Sequence, residues 1–148
     1  METDRRTAGD LEDVKVNVKI KLSALWVVLM FLYLYADVLA FYYPGIIKEI
    51  MGGQIVGIRI GKLFLLGSAV LMGIPSVMVF LSLVLKAKAN RRTNIVLGIF
   101  HAGVLLATMF IPAETMETYP HHLFYLIAEA AFIVLIIRYA WKWPKREA

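Results

Sequence analysis

Asp37 and Glu129 are acidic residues set inside long apolar runs, and no other groups in this chain are better placed to do chemistry. A carboxylate in hydrocarbon costs roughly 2.5–3.5 kcal/mol at the centre of a membrane helix and less towards its ends. Such a group ordinarily faces a bundle interior, finds a partner, or takes part in function. Ala36 and Ala40 lie beside the first acid, and Ala128, Ala130 and Ala131 surround the second, so side-chain size permits close helix approach at both. Tyr33 precedes Asp37 by one helical turn and Tyr125 precedes Glu129 by one turn, each offering a phenol at i,i+4 spacing. These four residues compose a candidate ligand- or proton-binding site. If the two acids meet without a cation, they repel when both are ionised, and a shared proton relieves the repulsion. Arg59 or Lys62, at the start of the second apolar run, could neutralise them instead.

The elements that must position these residues are membrane helices. The chain has 148 residues, of which 60% are hydrophobic, and a mean hydropathy of +0.71; ordinary soluble domains are about 45–50% apolar. The apolar residues come in blocks at about 22–43, 63–85, 95–111 and 123–140, each near the ~20 residues that cross a bilayer. They are apolar on all sides, whereas barrel strands alternate over about ten residues. The expected fold is therefore all-α: a four-helix transmembrane bundle over residues 22–143. A polar leader, 1–21, precedes it and a short tail, 144–148, follows. The third run is short, with Thr93 and Asn94 expected as capping and interfacial residues. Pro44-Gly45 and Gly52-Gly53 bracket Ile46, Ile47, Ile50 and Met51, which predicts a short interfacial helix after the first span. Val14 to Lys21 alternates at period two, yet Leu11, Val14 and Val18 also fit a helical face, so either conformation is open. The first apolar run is too long for a signal core and follows a long polar leader, so it is expected to be a span.

Basic residues orient the spans. Lys15, Lys19 and Lys21 precede the first, Lys86, Lys88, Arg91 and Arg92 join the second to the third, and Arg138, Lys142, Lys145 and Arg146 close the chain. The opposite loops hold only Lys48, Arg59 and Lys62. The positive-inside rule then puts both termini in the cytoplasm. In that frame Asp37 lies about six residues, roughly 9 Å, from the outer end of its span, and Glu129 about eight residues, roughly 12 Å, from the outer end of its own. The spans run oppositely, so both acids fall in the outer half and can share a cavity. Trp26, Trp141 and Trp143 are expected as interfacial belt residues.

Other chemistry is excluded or weakened. There is no cysteine, which removes thiolate metal sites, iron–sulfur ligation and disulfide exchange. His101 and the pair His121–His122 differ in depth by something like 15 Å at helical rise, so no shared haem or metal is expected; His101 is expected to hydrogen-bond a neighbouring span. No phosphate loop, nucleophile elbow or His-Glu-x-x-His occurs. Cofactors are expected to be none. The net charge of +5 flanks spans and implies lipid contact, not nucleic acid. Pro75 interrupts the second run and frees a carbonyl near residue 71, a candidate kink of the sort that borders sites in transporters. Ala69 with Gly73, Gly98 with Ala102, and Gly103 with Ala107 make small-xxx-small pairs suited to packing.

The segments KLSALWVVLMFLYLYADV, GIPSVMVFLSLVLKAKANRRTNIVLGI and RYAWKWPK resemble a family of small four-span prokaryotic membrane proteins classified only as a domain of unknown function. The resemblance runs from about Lys15 to Lys145 and implies four helices in the inner membrane. It brings no activity, substrate or catalytic residue.

Three functions fit these residues. The first is a small proton- or cation-coupled transporter or ligand-binding membrane subunit using the two carboxyls, with a homodimer completing a two-sided pathway. The second is a membrane-embedded lipid or isoprenoid enzyme with a carboxylic acid as general acid. The third is a structural or assembly partner. The small-molecule ligand is not legible.

Overall fold

The protein is described by a computed structural model over residues 14–55, 57–110 and 120–144. The leader through Asp13, the loop expected at 112–120 up to residue 119, and the tail from Lys145 lie outside the described residues. The described residues are helical, with one small ribbon: α1 Val18–Ala40, α2 Ile46–Met51, β1 Gln54–Ile55, β2 Ile58–Arg59, α3 Lys62–Val84, α4 Ala87–Thr108 and α5 Pro120–Trp141. Three helices, α1, α3 and α5 from His121, are long and apolar enough to cross a membrane. The fourth, α4, has the length (22 residues), but Lys88, Asn90, Arg91, Arg92 and Asn94 make its first two turns polar.

Local chemistry sets most boundaries. Asn17 caps α1, its side chain accepting from the Lys19 N–H at 2.9 Å. Residues 14–17 have no regular structure, so the helix begins only at Val18. The short helix expected after the first span is present as α2. Of its apolar stripe only Ile46 is buried, while Ile47 and Met51 are exposed. The β1–β2 hairpin was not legible. Its register pairs Ile55 with Ile58, and Gly57, at φ 73, takes the left-handed conformation that so tight a turn requires. Leu85 and Lys86, both extended, turn the chain from α3 directly into α4.

Hydrogen bonds between helices fix their directions. Lys19 Nζ donates to the Leu83 carbonyl at 3.1 Å and Ser23 Oγ to the Val79 carbonyl at 2.8 Å. One index rises by four as the other falls by four, so α1 and α3 are antiparallel. Between α1 and α4, Trp26 meets Asn94 and Tyr33 meets His101, both 68 residues apart. A constant difference means that α1 and α4 run in parallel. α1 packs closely on α3 and α5, and α4 on α5, while α3 and α4 pack less closely.

The inward face of each helix repeats at near-heptad spacing. It comprises Leu22, Trp26 and Leu29 on α1, Pro75, Met78 and Ser82 on α3, Asn90, Asn94, Gly98 and His101 on α4, and Ile133, Ile136 and Ala140 on α5, all buried. Large apolar residues such as Leu34, Leu65, Phe80, Ile99, Phe124 and Val134 point outward. An apolar exterior over a core that mixes apolar side chains with buried amides and an imidazole suits a lipid environment.

Two expectations need correction. Trp26 is not a belt residue: it is fully buried, and its indole Nε1 donates to Asn94 Oδ1 at 2.7 Å. Thr93 and Asn94 do not cap a helix starting at 95, because α4 begins at Ala87 and places them two turns inside it. Asn94 Nδ2 donates to the carbonyl and Oδ1 of Asn90, whose own amide donates to the Ser82 carbonyl. Asn94 donates to Asn90 at i,i+4 spacing while Ser82 and Trp26 satisfy the remaining groups of the two amides, so the polar run reads as a helix end while folding as a helix interior.

Among the small-residue pairs, Gly98 is the one that close packing requires. A Cβ there would lie 2.7 Å from Ile137 Cγ1, whereas at Gly73 and Gly103 nothing lies within 4 Å. Gly98→Ala is therefore expected to destabilise the protein by about 1–3 kcal/mol through overpacking against α5. Gly103→Ala should be neutral or stabilising by up to ~1 kcal/mol through helix propensity. Unfolding titrations in mixed detergent would compare the two; equal effects would refute the close approach.

Candidate functional site

The inward faces of α1 and α5 are apolar near the α3–α4 turn and turn polar towards the other end of the bundle. On α1 the repeat continues through Tyr33, Ala36 and Asp37, and on α5 it runs back through Glu129, Leu126, Tyr125 and His122. α3 adds Leu71 and Met72, and α4 adds Val104, Leu105 and Thr108. Together they enclose a cavity of about 240 Å³ walled by all four long helices.

Asp37 and Glu129 thus line one cavity, from helices that touch along their length. Their charges are within electrostatic reach of each other, and the charge of Glu129 also reaches Tyr33. Glu129 is 9% exposed, while Asp37 sits at the open side. Neither carboxyl has a hydrogen bond or ion pair among the described residues. Among the described residues no lysine or arginine walls the cavity. Six side chains there are polar or titratable and the rest are apolar, which is the composition of a ligand site more than of a packed core.

The other expected residues divide. Tyr33 and Tyr125 both face the cavity. Tyr33 also bonds His101 Nδ1 at 3.0 Å with the rings stacked, the cross-span bond expected of that histidine. The second ring nitrogen of His101, Nε2, is buried and has no partner among the described residues. Arg59 lies on β2, exposed, and is not part of the cavity wall. Pro75 sits inside α3. The residue whose carbonyl it deprives of a donor, Leu71, is itself in the wall. Ser76 Oγ bonds Met30 Sδ at 3.2 Å beside the proline, tying α3 to α1 there.

His122 and Thr108 are cavity residues that hydropathy alone does not single out. His122 was legible by register: 122, 125, 126 and 129 are one helical face. Thr108 carries no comparable mark. It follows the inward positions His101 and Leu105 by one heptad and one turn. His121 bonds the Tyr43 hydroxyl at 2.9 Å, so adjacent histidines serve different neighbours. Among the described residues no three metal-ligating side chains gather.

Long helices that bury two amides and a carboxyl and expose leucine and phenylalanine, three of them able to span a bilayer, have the build of a multi-pass membrane protein. The chain belongs to DUF6326, a family of unknown function, matched over residues 11–148, in agreement with the resemblance carried by its apolar segments. No curated protein and no solved structure matches it.

Proposed function

We propose that the protein is a four-span membrane protein of the inner membrane, with both termini cytoplasmic, that binds a small organic cation in exchange for protons at Asp37 and Glu129. It acts as a small proton- or cation-coupled transporter or as the ligand-binding subunit of one. The observation that carries this reading is the shared cavity: two carboxyls from α1 and α5, one of them buried, with no described hydrogen-bond or ionic partner and no basic wall residue. Two ionised acids facing one apolar space repel, and a cation or a proton between them relieves the repulsion. Tyr33, Tyr125 and His122 supply ring faces for the apolar part of an organic cation and for cation–π attraction.

Further features support the membrane frame. α4 spans about 33 Å at helical rise, and its apolar part carries exposed Val96, Ile99, Phe100 and Leu106. Lipid covers that face when α4 is the third span. Lys15, Lys21, Lys86, Lys88, Arg138 and Lys142 then gather at one end, the cytoplasmic side under the positive-inside rule. The cavity then lies in the outer half of the bundle, open on the side of Asp37. A second copy would supply the other half of a two-sided pathway.

Benzyltrimethylammonium, a fixed cation with one aromatic ring, is a suitable probe. Added to the purified protein in weakly buffered detergent, it is expected to bind and to release protons. Asp37→Asn/Glu129→Gln should abolish the release and weaken binding at least about tenfold, the size of one lost charge contact. Unchanged binding by the double variant, or binding by the wild type without proton release, would sink the reading.

A further inference from the structure

A second cavity lies at the opposite end of the bundle, where the chain enters α1 and leaves α5. It measures about 340 Å³ and takes in Lys15 and Lys21 from one side and Arg138 and Lys142 from the other. Tyr139, Val16, Val18, Leu135 and Pro144 complete it. Among the described residues no carboxylate forms part of it, and none of the four cations is ion-paired to an acid. Lys21 lies 5.5 Å over the ring of Tyr139, which holds one ammonium at the mouth.

Four cations converging from two helices repel one another unless an anion sits between them. Helix dipole explains part of the arrangement, because Arg138 and Lys142 close the C-terminal end of α5. It does not explain Lys15 and Lys21, which stand at the N-terminal end of α1, where cations are disfavoured. Apolar Val16, Val18 and Leu135 share the wall with the charges, so the space grades from basic to apolar as a phospholipid does. Trp141, 65% exposed at the end of α5, marks the level of the headgroups.

The geometry points to a specific binding site for the phosphodiester headgroup of an anionic phospholipid, held between the entry of α1 and the exit of α5. The phosphate is the recognised group; Val16, Val18 and Leu135 receive the glycerol and the first acyl carbons. This inference rests on the membrane setting but is independent of what the acidic cavity binds. It also separates this site from the basic α3–α4 turn at the same end of the bundle. There Lys86 and Lys88 are exposed and are not among the residues that form this cavity, and Arg91 instead lies 5.8 Å over Trp141.

Native mass spectrometry of the full chain in neutral detergent tests the site, titrating phosphatidylglycerol against phosphatidylcholine of the same acyl chains. One phosphatidylglycerol is expected to be retained under conditions that strip phosphatidylcholine. A basic residue near an anionic surface contributes about fivefold in affinity, so Lys15→Gln/Lys142→Gln should weaken retention about 25-fold. Both positions lie outside the helices, so the fold does not depend on them. Lys86→Gln/Lys88→Gln removes the same charge from the same end and should change affinity by less than about twofold, since those residues do not line this cavity. Equal losses in the two variants would mean diffuse attraction and overturn the site, as would equal retention of both lipids. Inorganic phosphate is the third arm: if it alone binds as tightly and displaces phosphatidylglycerol, the ligand is a soluble phosphate and the lipid assignment fails.

Discussion

Glu129→Gln is expected to leave the bundle at least as stable as the wild type, with a gain of up to about 2 kcal/mol, while removing cation binding. The opposing effects follow from the same geometry. Glu129 is nearly enclosed, faces Asp37 across a cavity and has no described donor to stabilise its charge, so an isosteric amide removes repulsion without opening a void. A residue kept for helix register would behave otherwise, because losing its interactions would lower stability. Reversible unfolding in mixed detergent, measured beside benzyltrimethylammonium binding, separates the two. Loss of stability by 1 kcal/mol or more with binding intact would assign the acid a scaffolding role. Asp37→Asn should lose binding with a smaller stability change, since Asp37 stands at the open side of the cavity.

Trp26→Ala should be the most damaging single substitution in the core. The side chain is fully buried between α1 and α4, touches the edge of His101, and donates to Asn94. Truncating a buried tryptophan costs about 3–5 kcal/mol in a soluble core. In lipid the transfer part of that cost falls away, and the loss of packing remains at about 2–3 kcal/mol. The Asn94 oxygen also loses its donor. Trp26→Phe keeps most of the ring contact and should cost only about 1 kcal/mol, the value of the interhelical hydrogen bond. A belt tryptophan would tolerate both changes equally, so a phenylalanine variant as unstable as the alanine one, or two variants as stable as the wild type, would contradict the assignment.

The misreading of Trp26 shows where local pattern stops being informative. A tryptophan five residues into an apolar run, after lysines, matches the interfacial pattern. What reverses it is Asn94, 68 residues later, in a stretch whose polarity itself looks like a helix boundary. Each residue is misjudged alone, and the pair corrects both: the indole needs an acceptor to be buried, and the amide needs donors to lie inside a helix. The acids differ. Their apolar surroundings make them conspicuous, and the inward register of α1 and α5 can be followed from Leu22 to Asp37 and from His122 to Ala140 along one helical face. His122 is legible by that same register once Glu129 is taken as inward. Arg59 sits in the hairpin β2, away from the cavity wall, because the glycines at 53 and 57 turn the chain into a ribbon before α3 begins.

Apolar length, helix-breaking residues and the excess of lysine and arginine at particular loops are local quantities, so the amino-acid order was enough to establish long helices, the short helix after the first, and the presence of two costly carboxyls. Which faces meet is not local. It depends on the rotation and register of helices far apart in the chain, and these follow from packing: Gly98 admitting Ile137, the two α1–α4 bonds holding register, and the small side chains beside the acids. From that packing came the amide cluster around Trp26, the membership of His122 and Thr108 in the acidic cavity, and the meeting of Lys15 with Lys142 at the other end. A window of sequence senses its own solvent preference, whereas a cavity is a property of four surfaces brought together.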